Sequence, residues 1–305
     1  MDKKIVLILL GPTAVGKTEI SLKIAKEFPC EIVSVDSRQI YKLMDIGTAK
    51  VPPEIRKEIP HHLIDIVFPD EVYTAGDFCS DAKNIVENIL SRNKIPFLVG
   101  GTALYYWLFL RNPLSPLPKG DRTLRSELLT KNRFTLYEEL LKVDPISASK
   151  IHPNDLYRIV RALEVYKLTG KPMSFWHKES ELKESYETLW LGLFRDRGEL
   201  YERINKRVDD MISQGLVDEV KKLLDMGYSP ELPAMRGHGY RELCDYFQGK
   251  ISLEEAIDAI KRDTRHYAKR QMTWFKKWKD VEWFHPGEVS KILDRIKRWL
   301  YASLE

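Results

Sequence analysis

The sequence predicts an α/β protein, a doubly wound parallel sheet flanked by helices, with an all-helical stretch inserted into it. Three observations carry this. First, Ile5–Leu10 is a continuous apolar run, as expected of a strand buried on both faces. A Gly-bearing loop follows, and then Ile20, Ile24 and Phe28 recur at fourfold spacing, the period of a helix. Second, further strand-like runs at 32–35, 64–67, 97–99, 189–194 and 281–284 alternate with helical patterns, among them 78–91. Third, strand character vanishes between residue 111 and about 187.

The inserted stretch opens on chain breakers, Asn112, Pro113, Pro116 and Pro118. Within it Asn154 is a candidate cap for a helix reaching Thr169, with Leu156, Val160, Leu163 and Tyr166 on its apolar side and Gly170 ending it. The expected organisation is therefore 1–111 as the first part of the core, 112–187 as a helical insertion, and 188–305 as the rest of the core. Two helices are expected from about Glu199 and Leu216, parted by Gln214 and Gly215. The last long helix starts at Ser252, whose spacing to Glu255 makes a capping box, and runs to about Trp278.

A chain of 305 residues can bury one substantial core and a smaller appended domain. Cys30, Cys79 and Cys244 are scattered and odd in number, with no C-x-x-C spacing. That argues against a disulfide framework or a zinc site and fits a reducing cytoplasm. The longest apolar runs are too short to span a bilayer, and no signal-peptide pattern opens the chain, so a soluble protein without a membrane role is expected. The net charge of +4 decides little, but its distribution does more. Residues 236–279 hold 11 Lys and Arg against 6 Asp and Glu, whereas residues 1–110 hold 13 against 14. A polyanion resting on the C-terminal region would explain this; so would a solvated helix face.

The most specific signal is Gly11-Pro12-Thr13-Ala14-Val15-Gly16-Lys17-Thr18, which fits G-x-x-x-x-G-K-[ST] between a buried strand and a helix. Such a loop turns backbone N–H groups around a phosphate at a helix N-terminus. Lys17 adds a full charge, and Thr18 places a hydroxyl where Mg²⁺ would sit. The expected fold is thus a P-loop NTPase-like parallel sheet. The loop alone suggests nucleotide or ATP binding, as in a small-molecule kinase. However, no apolar strand ends in an Asp-Glu pair, and Asn-Lys-x-Asp is missing. Asp36, ending the second strand run, could hold a metal through water or take a proton from a nucleophile.

Further segments narrow the choice. Asp36-Ser37-Arg38-Gln39-Ile40-Tyr41 leads to Met44-Asp45-Ile46-Gly47-Thr48-Ala49-Lys50, and His61-His62-Leu63-Ile64-Asp65 follows. Then come Gly100-Gly101-Thr102-Ala103-Leu104-Tyr105, Leu114-Ser115-Pro116-Leu117-Pro118, His152-Pro153-Asn154-Asp155 and Arg158-x-x-Arg161-Ala162-Leu163-Glu164. Gly239-Tyr240-Arg241 and Ala268-Lys269-Arg270-Gln271-x-Thr273-Trp274 complete the series. Over nearly its whole length the chain resembles the bacterial tRNA dimethylallyltransferases. Val15 departs from many relatives, which carry Ser there, and the cysteine count excludes the C-terminal zinc finger of eukaryotic relatives.

The resemblance implies transfer of a dimethylallyl group from dimethylallyl diphosphate to N6 of the adenosine 3′ of the tRNA anticodon. The implied catalytic residues are Asp36 as base, Thr102 and Arg207 on the diphosphate, and Lys17. It assigns tRNA contacts to Asp36, Ser37, Arg38, Gln39, Thr102, Arg125, Tyr157, Arg158, Ile159, Val160, Arg161, Arg236, Gly237, His238, Gly239, Tyr240 and Arg241. The implied partners are the anticodon stem-loop and the prenyl donor, the cofactor is Mg²⁺, and a monomer is expected. Gln39 has paired groups suited to an adenine edge, and His238 or Tyr240 could stack on a base. Lys261, Arg265 and Lys269 share a helix face, whereas Trp274, Phe275 and Trp278 read as core. Two other classes stay open: a P-loop kinase, and a non-catalytic RNA-binding protein regulated by nucleotide.

Overall fold

The computed structural model describes residues 4–111, 117–118, 120–179 and 186–304. The breakers Asn112, Pro113 and Pro116 lie outside them. The chain forms two compact units, one made of Met1–Tyr106 and Ser185–Glu305, the other of Trp107–Glu184.

The first unit is built on six parallel strands: β1 (Ile5–Leu10), β2 (Cys30–Val35), β3 (His61–His62), β4 (Ile95–Gly100), β5 (Glu187–Leu193) and β6 (Glu282–Phe284). Their order is β3-β2-β4-β1-β5-β6, so the first strand lies inside the sheet between β4 and β5. Val6, Leu7, Ile8, Leu9 and Leu10 are all fully buried, which is why β1 reads as an unbroken apolar run. Leu7 and Leu9 pack with Ile20 and Ile24 of the helix Lys17–Glu27 and with Ile292, Ile296 and Trp299 of the helix Val289–Leu304. Elsewhere Tyr106, Trp190, Phe275 and Trp278 form an aromatic cluster with centroids 5.3–6.4 Å apart. Phe275 and Trp278 are therefore core, whereas Trp274 is 37% exposed.

Three expectations are corrected. The run at 64–67 is not a strand of the sheet. The pairing with β2 is made by His61 and His62, after which Leu63 and Asp65 turn through positive φ. Asp65, Ile66 and Val67 then bond through their N–H groups to the carbonyls of Gln39 and Ile40, so the run braces the loop after β2. The helix Leu156–Thr169 is capped by Asp155, whose side chain accepts from the Arg158 N–H, and not by Asn154; Gly170 does end it. The helix Val289–Leu304 follows the one expected to be last, Leu253–Phe275.

Among its described residues the second unit is built of helices joined by turns, without a strand, and Leu128, Leu136, Leu140, Ile159, Val160 and Leu163 form its core. Its central charge is Glu164, fully buried and held by Arg125 at 2.8 Å, Arg161 at 2.6 Å and the Asp121 N–H at 2.9 Å. No described helix is long and apolar enough to cross a membrane.

Candidate active site

The C-terminal ends of parallel strands are where a doubly wound sheet binds ligands, and the loops after β1, β2 and β4 enclose a cavity of about 720 Å³. The loop 11–18 follows β1. Ala14 takes φ 61° and Gly16 takes φ 113° before the helix Lys17–Glu27 begins. Arginines fix its shape: Arg203 Nε donates to the Ala14 carbonyl at 3.1 Å and Arg195 Nε to that of Val15 at 2.9 Å. Val15 itself is buried, and its N–H turns to the Pro12 carbonyl at 3.5 Å.

The loop after β4 carries Gly100, Gly101 and Thr102. Gly100 is required by close approach, since a Cβ there would lie 2.0 Å from the Val35 carbonyl oxygen. That contact lets Thr102 N–H reach the Val35 carbonyl at 3.1 Å, while Thr102 Oγ1 accepts from the Ser37 N–H at 3.1 Å. Thr102 thus sits against the turn that carries Asp36. Gln271 joins this loop to the phosphate loop: its Oε1 accepts from Thr13 N–H at 2.9 Å and its Nε2 donates to the Gly101 carbonyl at 2.8 Å.

Lys17, Thr18, Asp36, Gln39, Arg207 and Tyr267 line the cavity. Burial pushes the Lys17 ammonium down to about 7; Asp36 opposes that shift and Arg207 adds to it. Burial likewise lowers Arg207, again against the pull of Asp36. Tyr267 is pushed up to about 12, first by burial and then by the Asp36 charge. Lys17 Nζ donates to the carbonyls of Gly11 and Pro12 at 2.9 and 2.7 Å. Two desolvated cations facing one carboxylate make a site that gains by receiving an anion. Among the described residues no three His, Cys, Asp or Glu converge as a metal cage. Thr18 and Asp36 both bring hard oxygens to the cavity lining, which suits an ion that keeps most of its ligands as water and phosphate oxygen.

The structure therefore brings Lys17, Thr18, Asp36, Gln39 and Arg207 to one cavity, with Thr102 bonded to the turn after Asp36. Not every expected nucleic-acid contact is free to serve. Tyr240 is 1% exposed and its hydroxyl donates to Glu219, so it cannot stack on a base. Ile159 and Val160 are core residues. The Gln39 amide is spent inside the protein, accepting from Ser34 Oγ and donating to the carbonyls of Thr48 and Ala49.

Others are available. Tyr157 is 72% exposed, with the Arg125 guanidinium 5.8 Å from its ring. Arg158 and Arg236 are exposed in surface ion pairs with Asp155 and Glu231. Arg38 reaches the Pro233 carbonyl at 2.7 Å, and Arg241 pairs with Glu242 and Asp263. Gly237 and Gly239 flank His238, whose ring lies 5.3 Å from that of Tyr267 and whose buried Nδ1 has no hydrogen-bond partner among the described residues. Lys261 pairs with Asp209, and Arg265 donates to Asn205.

Arg195, Arg203, Tyr267 and Gln271 emerge as site residues only from the structure. For two the signal was present: Arg203 lies four residues before Arg207 on one helix face, and Gln271 follows Arg270 in a quoted motif.

The comparisons with known proteins agree with this geometry. Residues 39–278 match the family described as IPP transferase. The chain is 48% identical to tRNA dimethylallyltransferase 2 of Geotalea uraniireducens and 47% identical to tRNA dimethylallyltransferase of Carboxydothermus hydrogenoformans, covering 97% of both chains in each case. Among solved structures it is similar to the full-length tRNA isopentenylpyrophosphate transferase of Bacillus halodurans, with TM-score 0.74, 40% identity, and 99% and 98% of the two chains covered. A eukaryotic dimethylallyltransferase acting on tRNA gives TM-score 0.78 at 35% identity, over 88% of this chain and 69% of that one. The chain belongs to the IPP transferase family.

Proposed function

We propose that this protein is a tRNA dimethylallyltransferase. It moves the dimethylallyl group of dimethylallyl diphosphate to N6 of the adenosine 3′-adjacent to the anticodon, releasing diphosphate. The observation that carries this reading is the meeting of the phosphate loop, two desolvated cations and the Asp36 carboxylate on one cavity.

The chemistry follows from that arrangement. An exocyclic adenine amine is a weak nucleophile, so the reaction depends on charge neutralisation at the leaving diphosphate as the C–O bond breaks. Loop amides, Lys17 and Arg207 supply it, and Thr102 donates a hydrogen bond to the same group. The allylic carbon spreads the developing positive charge. Asp36, facing Lys17 and Arg207, takes the N6 proton as the C–N bond forms. Magnesium bound at the Thr18 hydroxyl would add neutralising charge at the diphosphate. To bring N6 to the cavity the adenosine leaves its stack; the half-buried Arg38 and the exposed Arg236 of the first unit are suited to holding RNA, and so, taken by themselves, are the exposed Tyr157 and Arg158 of the helical unit. The proposal extends to a monomer in the cytoplasm, with light scattering and fractionation as the checks.

Purified protein incubated with Mg²⁺, dimethylallyl diphosphate and unmodified tRNA should yield prenylated adenosine by nucleoside mass spectrometry. No prenylated nucleoside, with phosphoryl transfer from ATP in a parallel reaction, would overturn the proposal in favour of a kinase.

A further inference from the structure

Part of the cavity wall is the loop 44–50, which is braced internally by Ala49 N–H on the Ile46 carbonyl at 2.9 Å, Lys50 N–H on the Asp45 carbonyl at 3.1 Å and Thr48 Oγ1 on the Met44 carbonyl at 2.5 Å, and is tied to the rest of the protein on both sides. Thr48 and Ala49 line the cavity beside Lys17 and Asp36. The loop before them turns so that three successive N–H groups point the same way, and all three end on one side chain. Glu219, in the first turn of the helix Leu216–Asp225, accepts from Asp45 N–H at 2.9 Å and Ile46 N–H at 2.8 Å through Oε2, and from Gly47 N–H at 3.1 Å through Oε1. Its remaining partner is the Tyr240 hydroxyl at 2.6 Å. The Tyr240 ring closes over Gly47, where a Cβ would lie 2.5 Å from it, so only glycine fits beneath. Hydrogen bonds to an ionised carboxylate are stronger than neutral ones, and four of them make this a firm anchor.

The other side of the loop is fastened to the site. Gln39 Nε2 donates to the carbonyls of Thr48 and Ala49 at 3.2 and 3.4 Å, and Gln39 Oε1 accepts from Ser34 Oγ at 3.0 Å. The N–H groups of Arg38 and Gln39 in turn donate to Asp36 Oδ1 at 2.8 and 3.4 Å. An unbroken series of bonds thus runs from Glu219 through the loop and Gln39 to the Asp36 carboxylate. Neither Glu219 nor Tyr240 lines the cavity.

We propose that Glu219 and Tyr240 are positioning residues for the transfer step: they set the wall formed by Thr48 and Ala49 and, through Gln39, the aim of Asp36. The inference rests on the proposed function. It also gives Tyr240 a role inside the protein, in a segment whose neighbours Arg236 and Arg241 are exposed.

Glu219→Gln turns an N–H₂ group toward loop N–H groups and leaves at least one of them unsatisfied. A misaimed base loses rate without losing substrate, so kcat should fall about tenfold or more while the Kd for tRNA stays within about threefold. Hydrogen exchange at the amides of Asp45, Ile46 and Gly47 should speed up in the same variant. Tyr240→Phe removes one bond of the four and should lower kcat about threefold. The double variant should match Glu219→Gln alone, since Tyr240 acts through Glu219. Wild-type kcat in a folded Glu219→Gln, or a loss explained wholly by weaker tRNA binding or by the unfolded fraction, would overturn the inference. Wild-type protein that prenylates nothing defeats the function instead and removes the step this network serves; that result is read from wild type and is not confused with failure of the network.

Discussion

Strand β2 carries a carboxylate at each end, Glu31 as its second residue and Asp36 one residue past its last, and their surroundings differ in kind. Glu31 is 2% exposed and meets Arg92 through both guanidinium nitrogens, Lys94 at 2.9 Å and His62 at 2.8 Å. These partners hold its carboxyl at about 2. At the other end two cations again face one carboxylate, but they are not in solvent: Lys17 and Arg207 are desolvated around Asp36, and burial lowers both, whereas Arg92 and Lys94 are each about 40% exposed. The N-terminal end of the sheet is complete once solvent around its exposed cations is counted, whereas the C-terminal end, with its cations buried, lacks negative charge. A stability network satisfies its own charges; a binding site leaves a deficit for its ligand to fill.

Changes at the deficient end should have the largest effects, and on turnover. Asp36→Asn keeps an oxygen for the Arg38 and Gln39 N–H groups but cannot take a proton, so kcat should fall about 10³-fold with tRNA binding retained. Asp36→Ala loses both roles, and a loss no deeper than that of Asp36→Asn would show that the capping role is idle. Lys17→Met should lower turnover about 10²-fold while raising the melting temperature of the ligand-free protein. The sign follows from the shift. The folded value of about 7 lies below the ordinary 10.5, so burying this ammonium costs stability in full below pH 7. That cost shrinks as pH rises from 7 toward 10.5. The thermal advantage of Lys17→Met should therefore be greatest at pH 6 and smaller at pH 9. An advantage that grows with pH would mean the site is not short of negative charge.

The same contrast governs what could be read from sequence. Ile5–Leu10 and the loop 11–18 were legible because burial on both faces and a phosphate-binding turn each leave a local pattern. The run at 64–67 misled because an apolar run reports burial without naming the partner, and here the partner is the 39–42 loop. Asp155 displaced Asn154 as a cap because both residue types cap well and only geometry chooses between neighbours. At the site, Lys17, Asp36 and Arg207 are spread over 190 residues, and no local pattern links them; the family resemblance did. Tyr240 shows the converse. Its place in a Gly-Tyr-Arg motif says nothing of the direction its ring faces, which Gly47, far earlier in the chain, decides. Glu31 was invisible for a similar reason, its three partners coming from two other segments.

The complete end makes the smaller, opposite prediction. Glu31→Gln keeps the shape of the side chain but leaves Arg92 and Lys94, each about 40% exposed, without their counter-charge. Solvent screens those cations in part, so the loss should be about 2 kcal/mol of unfolding free energy, between the values for surface and buried pairs. Turnover of the folded variant should stay at the wild-type level, because no member of this cluster lines the cavity. Acid provides the finer test. A carboxyl held at about 2, against an ordinary 4.5, contributes stability that is fully present above pH 4.5 and is lost as pH falls toward 2. Urea unfolding at pH 7, 4 and 3 should therefore show wild type and Glu31→Gln converging as the solution is acidified. A gap that stays constant across that range would mean the variant is weakened by packing, and that charge at this end of the sheet is not what holds it.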